Sequence, residues 1–159
     1  MKTGWINLIM LCIMAMAAIP IFYSCSPQNQ YNYGQAIPST FSSNGQRIYF
    51  TGTSGSGDPI YSEGFTMMGR GFACADCHGP QGKGGTVAMM MNRFDVPAIT
   101  WPELTGQHED HPPYTEDTVK QAITRGIDPA GNRLEPTMPR WTMSERDLND
   151  LINFLKTLK

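Results

Sequence analysis

Two thiols and an imidazole stand within five residues near the middle of the chain. The stretch "CADCH" holds Cys74, Cys77 and His78, and the glycine-rich run "GPQGKGG" follows it. A disulfide between these cysteines would close a very short loop and stabilise the fold little. A zinc site needs more ligands than this trio supplies, and a thioredoxin-like pair needs a βαβ setting that the sequence does not show.

The histidine directly after the second cysteine indicates another chemistry. The pattern C-x-x-C-H is the attachment motif of haem c, in which both thiols add to the vinyl groups as thioethers. The spacing of Cys74 and Cys77 on a short helical turn suits the two vinyl positions. His78 is then held under the iron as the proximal ligand. We therefore predict one covalently bound haem c.

A haem iron in an electron carrier needs a sixth ligand, and the candidates lie well downstream. Met138 lies between Pro136 and Pro139, and such a proline-flanked loop is stiff enough to hold a thioether at a fixed point. His108 and His111 are the competitors, in what the sequence indicates is a surface loop. The methionines expected to pack or to line the cofactor pocket instead are Met67, Met68, Met89, Met90, Met91 and Met143.

Amphipathic helices are expected to position these groups. The last helix begins after Ser144, a good N-cap residue. Its apolar residues follow at three- and four-residue spacing, and they are Leu148, Leu151, Ile152, Leu155 and Leu158. A second helix is predicted from Glu116 to Arg125, because Thr115 can cap its start and Gly126 supplies the stop. No strand pattern competes strongly with these helices.

From about Asn44 to Lys159 the chain resembles a single-haem c-type cytochrome of class I, in which histidine and methionine bind the iron. The resemblance rests on "NGQRIYF", "CADCHGPQGKGG", "PTMPRW" and "SERDLNDLINFLKTLK". It implies an all-α cytochrome c fold, a small helical domain with long loops wrapped around one haem. It also implies that "NGQRIYF" is a helix that crosses the last helix near Gly45 and faces it with Ile48 and Tyr49. From its residues alone, "RIYFTGT" also fits a short strand.

Further residues are candidates for contacts with the haem or with its histidine. The backbone carbonyl of Pro97 is expected to accept the Nδ1–H of the haem histidine, with Pro80 as the alternative. Trp101, Arg140 and Trp141 are candidates for hydrogen bonds to the haem propionates.

The chain departs from the simplest form of this family in two places. Residues 51–72 stand between the first helix and the cysteine motif, and we consider three roles for them. They are a lid over the haem, a docking surface and a tolerated surface insertion. Residues 96–113 form a long proline-rich connection.

The N-terminal segment is distinct in composition from the rest of the chain. A nearly unbroken apolar run covers residues 5–23, which suits a secretory signal or an uncleaved anchor. "IFYSCS" resembles a lipoprotein lipobox, which would make Cys25 a lipidated residue. We divide the chain into this segment at 1–25, a flexible linker at 26–43 and a cytochrome c domain at 44–159. Each of these three alternatives predicts export of the domain to the periplasm or the cell exterior. An uncleaved anchor or a lipid on Cys25 would also hold the domain at a membrane.

Composition and ligand set together predict the function. The 159 residues include 12 Lys and Arg against 14 Asp and Glu, so no basic field favours nucleic acid. Two occupied axial positions leave no place for a substrate, so we expect an electron carrier rather than an enzyme, with redox donor and acceptor proteins in a respiratory chain. The first alternative is a permanent haem subunit of a membrane-bound oxidoreductase complex. The second is a haem sensor or enzyme in which Met138 is displaced from the iron.

Overall fold

A computed structural model describes residues 37–63, 73–89 and 92–159 of the chain. Within these ranges the chain forms five helices and four strands. In chain order they are α1 (Asn44–Thr51), β1 (Tyr61–Glu63), α2 (Cys74–His78), β2 (Gly85–Met89), β3 (Asn92–Val96), α3 (Trp101–Leu104), α4 (Glu116–Arg125), β4 (Arg140–Thr142) and α5 (Glu145–Leu155).

Several predictions fall outside the described ranges. They are the export or anchor segment at 1–25 with Cys25, the linker as far as residue 36, residues 64–72 of the insertion, and Met67, Met68, Met90 and Met91. None of the helices in the described part of the chain has the length and apolar character needed to cross a bilayer.

Helices α1 and α5 cross at close range and form the centre of the fold. A Cβ atom at Gly45 would overlap the carbonyl oxygen of Asp150, so only glycine lets the two backbones approach this closely. Ile48 and Tyr49 of α1 are buried against α5. The first helix and its crossing at Gly45 therefore agree with the resemblance to class I cytochromes, and the strand alternative for "RIYFTGT" is wrong.

The two C-terminal helices have the predicted ends. The hydroxyl of Thr115 accepts from the backbone of Thr118 at the start of α4, and α4 stops at Gly126, whose φ is 64°. The hydroxyl of Ser144 accepts from the backbone of Asp147 at 3.2 Å and caps α5. The predicted apolar stripe of α5 lies in the hydrophobic core, whose buried residues are Ile48, Tyr49, Leu104, Val119, Ile123, Trp141, Leu148, Leu151, Ile152, Leu155 and Leu158.

Two small antiparallel sheets accompany the helices. Strands β1 and β4 pair over three residues, from Tyr61 opposite Thr142 to Glu63 opposite Arg140. Strands β2 and β3 form a hairpin with Gly85 opposite Val96. These strands were not predicted, because three- and five-residue strands with mostly exposed side chains carry almost no alternating hydrophobic pattern. The fold remains predominantly helical.

A buried carboxylate joins the start of α1, the loop after α1 and the start of α5. Asp147 is fully buried and accepts hydrogen bonds from Asn44 Nδ2 at 2.8 Å, Ser54 Oγ at 2.7 Å and Ser144 Oγ at 3.0 Å. Burial alone would raise the pKa of Asp147, but the bonds from Ser54, Asn44 and Ser144 outweigh burial and hold the pKa below its usual value. The charged form of Asp147 therefore stabilises the fold.

We expect Asp147→Asn to lower the free energy of unfolding by about 2–4 kcal/mol at neutral pH, because the buried donors lose a charged acceptor. The folded pKa of Asp147 is lowered, so its contribution is complete above about pH 4, the range of an unperturbed carboxyl. It is lost as the pH falls through the lower folded pKa. Urea unfolding from pH 7 to pH 2.5 measures this, with the exposed Asp95→Asn as control. A difference between wild type and Asp147→Asn that did not shrink in acid would contradict the assignment.

Candidate functional site

The cysteine motif forms its own short helix, α2, whose ends are closed by local hydrogen bonds. The carboxylate of Asp76 accepts from the backbone N–H of Ala73 at 2.9 Å. The N–H of Gly79 donates to the carbonyl of Ala75 at 3.0 Å. These bonds fix one helical turn, and Cys74 and Cys77 lie three residues apart along it.

Both sulfur atoms are protonated thiols that form no disulfide. Burial is the main cause that raises the pKa of Cys74 to about 12. Burial, followed by the negative charge of Asp76, also raises the pKa of Cys77. A thioredoxin-like nucleophilic cysteine needs a lowered pKa. The environment of this pair therefore argues against a thioredoxin-like centre.

His78 is buried at the end of α2 and has one ring nitrogen committed to the backbone. Its Nδ1 lies 2.9 Å from the carbonyl oxygen of Pro97. Because a carbonyl can only accept, Nδ1 carries the hydrogen and the lone pair of a neutral ring is on Nε2. Burial lowers the pKa of His78 more strongly than the bond to Pro97 raises it. The imidazole is thus neutral, oriented and able to bind a metal through Nε2. Pro97, rather than Pro80, supplies the carbonyl.

A glycine in the loop after α2 allows Pro97 to reach the histidine. Gly84 has a φ of 64°, and its N–H donates to the carbonyl of His78 at 3.0 Å. A Cβ atom at position 84 would lie 2.6 Å from the carbonyl carbon and oxygen of Pro97 and would overlap the carbonyl of Val96. The glycine-rich run therefore brings two segments of backbone together at the imidazole.

The crossing of α1 and α5 positions α2 through Tyr49. This side chain is fully buried, and its hydroxyl donates to the carbonyl of Gly79 at 2.5 Å, directly after the motif. The nearby loop is held by the N–H of Ile99, which donates to the carbonyl of Gly82 at 2.7 Å. From the sequence, Tyr49 was expected only to face the last helix. Nothing in a single sequence shows that its hydroxyl reaches a residue 30 positions away.

Met138 lies half-buried in the loop between α4 and β4. Its N–H donates to the carbonyl of Glu135 at 3.1 Å. The guanidinium of Arg140 donates to the carbonyl of Met138 and, at 2.8 Å, to the carbonyl of Leu134. It packs so closely over Gly126 that a Cβ atom there would overlap it. Arg140 therefore holds the backbone of the methionine loop, a role that the sequence analysis did not foresee.

The two tryptophans named as propionate donors lie in different surroundings. Trp101 begins α3 and is partly buried, with the ammonium of Lys156 located 5.5 Å from its ring centroid. Trp141 is buried in the core within β4. The propionate roles of Trp101, Trp141 and Arg140, and the binding of iron by Met138, stay predictions.

Comparison with known proteins gives one match. The family model described as cytochrome c matches residues 42–159. A search of the curated proteins and a search of the solved structures each found no match.

Proposed function

Since the chain belongs to the cytochrome c family, we propose that it carries single electrons between redox proteins of a respiratory chain at the outer face of a bacterial membrane. The family binds covalently attached haem c, and its members transfer electrons through that haem. The membrane, the respiratory chain and the identity of the partners are the parts that we propose here.

The residues around α2 fit haem c. Two free cysteines stand on one helical turn, as addition to two vinyl groups would require. A neutral imidazole follows them with Nε2 free and Nδ1 held by Pro97. When bound, haem c supplies a reversible one-electron iron couple. Cys74 and Cys77 would tether it, and His78 would bind its iron with a ring orientation set by Pro97. This arrangement is the single observation that carries the proposal.

We propose Met138 as the second axial ligand. The loop that bears it is braced by Arg140, which bonds to the carbonyls of Leu134 and Met138. A braced backbone would help to keep the Met138 thioether available as a ligand. Bound to the haem iron together with His78, this thioether would raise the reduction potential and would leave no ligand position for a substrate. These points support a carrier rather than an enzyme.

The N-terminal sequence supports the proposed location. The apolar run at 5–23 leads to Cys25, and the polar stretch that follows it would give the domain reach from a membrane. Lipidation at Cys25 would hold the protein at the surface while the haem domain meets donor and acceptor proteins.

Spectra and fractionation test this proposal. We expect the purified protein to show the α band of a reduced c-type haem and, when oxidised, a weak far-red band from methionine bound to iron. The native protein should partition with membranes, and Cys25→Ser should release it or leave it unprocessed. The intact mass should show the lipid in the wild type alone. A soluble wild type with an unmodified Cys25 would reject the lipid anchor, and absence of the α band would reject the electron-transfer site.

A permanent subunit of a membrane-bound oxidoreductase complex is the second candidate. Tyr61 of β1 is 63% exposed, and β1 pairs with β4, the strand that follows the Met138 loop. An exposed aromatic residue at this position is typical of a protein contact. Native gels of mild detergent extracts distinguish the two, because a carrier migrates alone and a subunit migrates with its complex.

A further inference from the structure

A second group of metal-binding side chains lies in the connection between α3 and α4. His108, Asp110 and His111 each offer one ligand atom, and these atoms all lie within 4.8 Å of one another. We propose that these three residues form a site for a divalent transition-metal ion such as Zn²⁺, separate from the iron of the haem. The site is independent of the function proposed above.

The backbone orients both imidazoles as metal ligands require. Nε2 of His108 donates to the carbonyl of Glu103 at 2.8 Å, and Nδ1 of His111 donates to the carbonyl of Pro112 at 2.8 Å. Each of these nitrogens carries a hydrogen, because a carbonyl can only accept. The opposite nitrogens, Nδ1 of His108 and Nε2 of His111, therefore carry the lone pairs. A backbone carbonyl that fixes one ring nitrogen while the other binds the ion is the usual arrangement of metal-binding histidines.

The spacing of the three side chains suits one small ion. The two imidazole centroids lie 4.6 Å apart, and the ring planes are inclined by 35°. Nε2 of His111 lies 3.8 Å from Oδ1 of Asp110. Ligand atoms around tetrahedral zinc stand about 3.4 Å apart, so movements of about 1 Å would complete the coordination. The Asp110 side chain is 83% exposed and free to make such a movement.

Asp128 and Tyr114 lie near these three residues, and the negative charge of Asp128 favours a bound cation. Asp128 lies within electrostatic reach of His111 and adds a negative charge to that of Asp110. The carboxylate of Asp128 is itself fixed by the backbone N–H groups of Ala130 and Asn132 at 2.9 and 2.8 Å. The ring of Tyr114 meets His111 edge-on at 5.1 Å. The imidazole of His111 is thus packed against Tyr114 and lies beside the carboxylate of Asp110.

The donor set selects the kind of metal. Imidazole nitrogens favour Zn²⁺, Ni²⁺ and Cu²⁺, whereas Mg²⁺ and Ca²⁺ prefer sites made wholly of oxygen. Three protein ligands leave a fourth position of a tetrahedral ion for water. The chain has three histidines in all, and the third, His78, is buried in the cysteine motif. A soft divalent ion that binds this protein through imidazole is therefore expected to bind at this loop.

Calorimetric titration of the full-length, haem-loaded protein with Zn²⁺ tests the proposal. We expect one Zn²⁺ per chain and no heat from Mg²⁺ at the same concentrations. His108→Gln and His111→Gln should each weaken Zn²⁺ binding by at least about 100-fold, and Asp110→Asn by about 10-fold. Glu109→Gln is the matched control, because it removes the adjacent exposed charge without removing a proposed ligand. Its affinity should stay within about twofold of wild type.

Three outcomes would overturn the proposal. The first is that wild type shows no Zn²⁺ binding, and the second is that the histidine variants bind as tightly as wild type. The third is a loss of the far-red haem band in His108→Gln or His111→Gln, which would make that histidine a ligand of the iron instead. An unchanged α band and circular dichroism spectrum in each variant show that the protein has folded.

Discussion

Replacing Met138 by alanine is expected to lower the reduction potential of the haem by on the order of 100 mV or more, since axial ligation is a main determinant of haem potential. The far-red band of the oxidised protein should disappear, and the ferrous form should bind carbon monoxide at the open position. The fold should survive, because the bond from Arg140 is made to the backbone carbonyl of residue 138. A redox titration with visible spectroscopy measures all three effects.

Met143→Ala is the matched control for this experiment. Met143 is also partly buried and packs against the hydrophobic core just before α5, so its loss removes a methionine without touching the loop that bears Met138. We expect the control to keep the far-red band and the potential. If Met138→Ala kept them as well, another side chain would be the sixth ligand.

Replacing Gly84 by alanine is expected to have the largest effect on stability. The new Cβ would stand 2.6 Å from the carbonyl of Pro97, and the residue would also occupy a left-handed conformation at φ 64°. Overlap with backbone cannot be relieved by rotating a side chain. We expect the free energy of unfolding to fall by about 3 kcal/mol or more. The potential should rise, because His78 becomes less basic when the Pro97 carbonyl is displaced.

Gly131→Ala is the control that separates overlap with the backbone from strain in the left-handed conformation. Gly131 has a φ of 90°, and nothing lies within 4 Å of a Cβ atom built there. This control retains the conformational strain, which costs about 1–2 kcal/mol, and lacks the overlap. Urea unfolding of both variants gives the difference. Equal losses in the two variants would show that the approach of Pro97 to residue 84 is unimportant.

The parts of the fold that sequence could predict are those with local causes. Helix α4 was predicted from a threonine cap and a glycine stop, and both signals lie within 12 residues of chain. The strands β1 and β4 were missed because their pairing joins Ser62 to Trp141, and no property of either segment alone selects the other. The short helix α3 was missed because four residues carry no periodic pattern.

In the candidate site, too, the features with local causes could be predicted from the sequence and those that depend on distant contacts could not. The spacing of Cys74, Cys77 and His78 is local and predicts the attachment chemistry directly. The contact of His78 with Pro97 was expected from the resemblance alone. No local sequence signal predicts it, because the β2–β3 hairpin brings together two residues that are distant in the chain. The bracing of the methionine loop by Arg140 was not predicted. An arginine after such a loop has many possible acceptors, and only the folded backbone shows which carbonyls it meets.

The network at Asp147 also sets the order in which the protein can assemble. Asn44 meets Asp147, which lies 103 positions further along the chain, and closing so long a loop costs entropy before any contact compensates for it. The nascent polypeptide therefore cannot complete its core until the C-terminal helix has been synthesised.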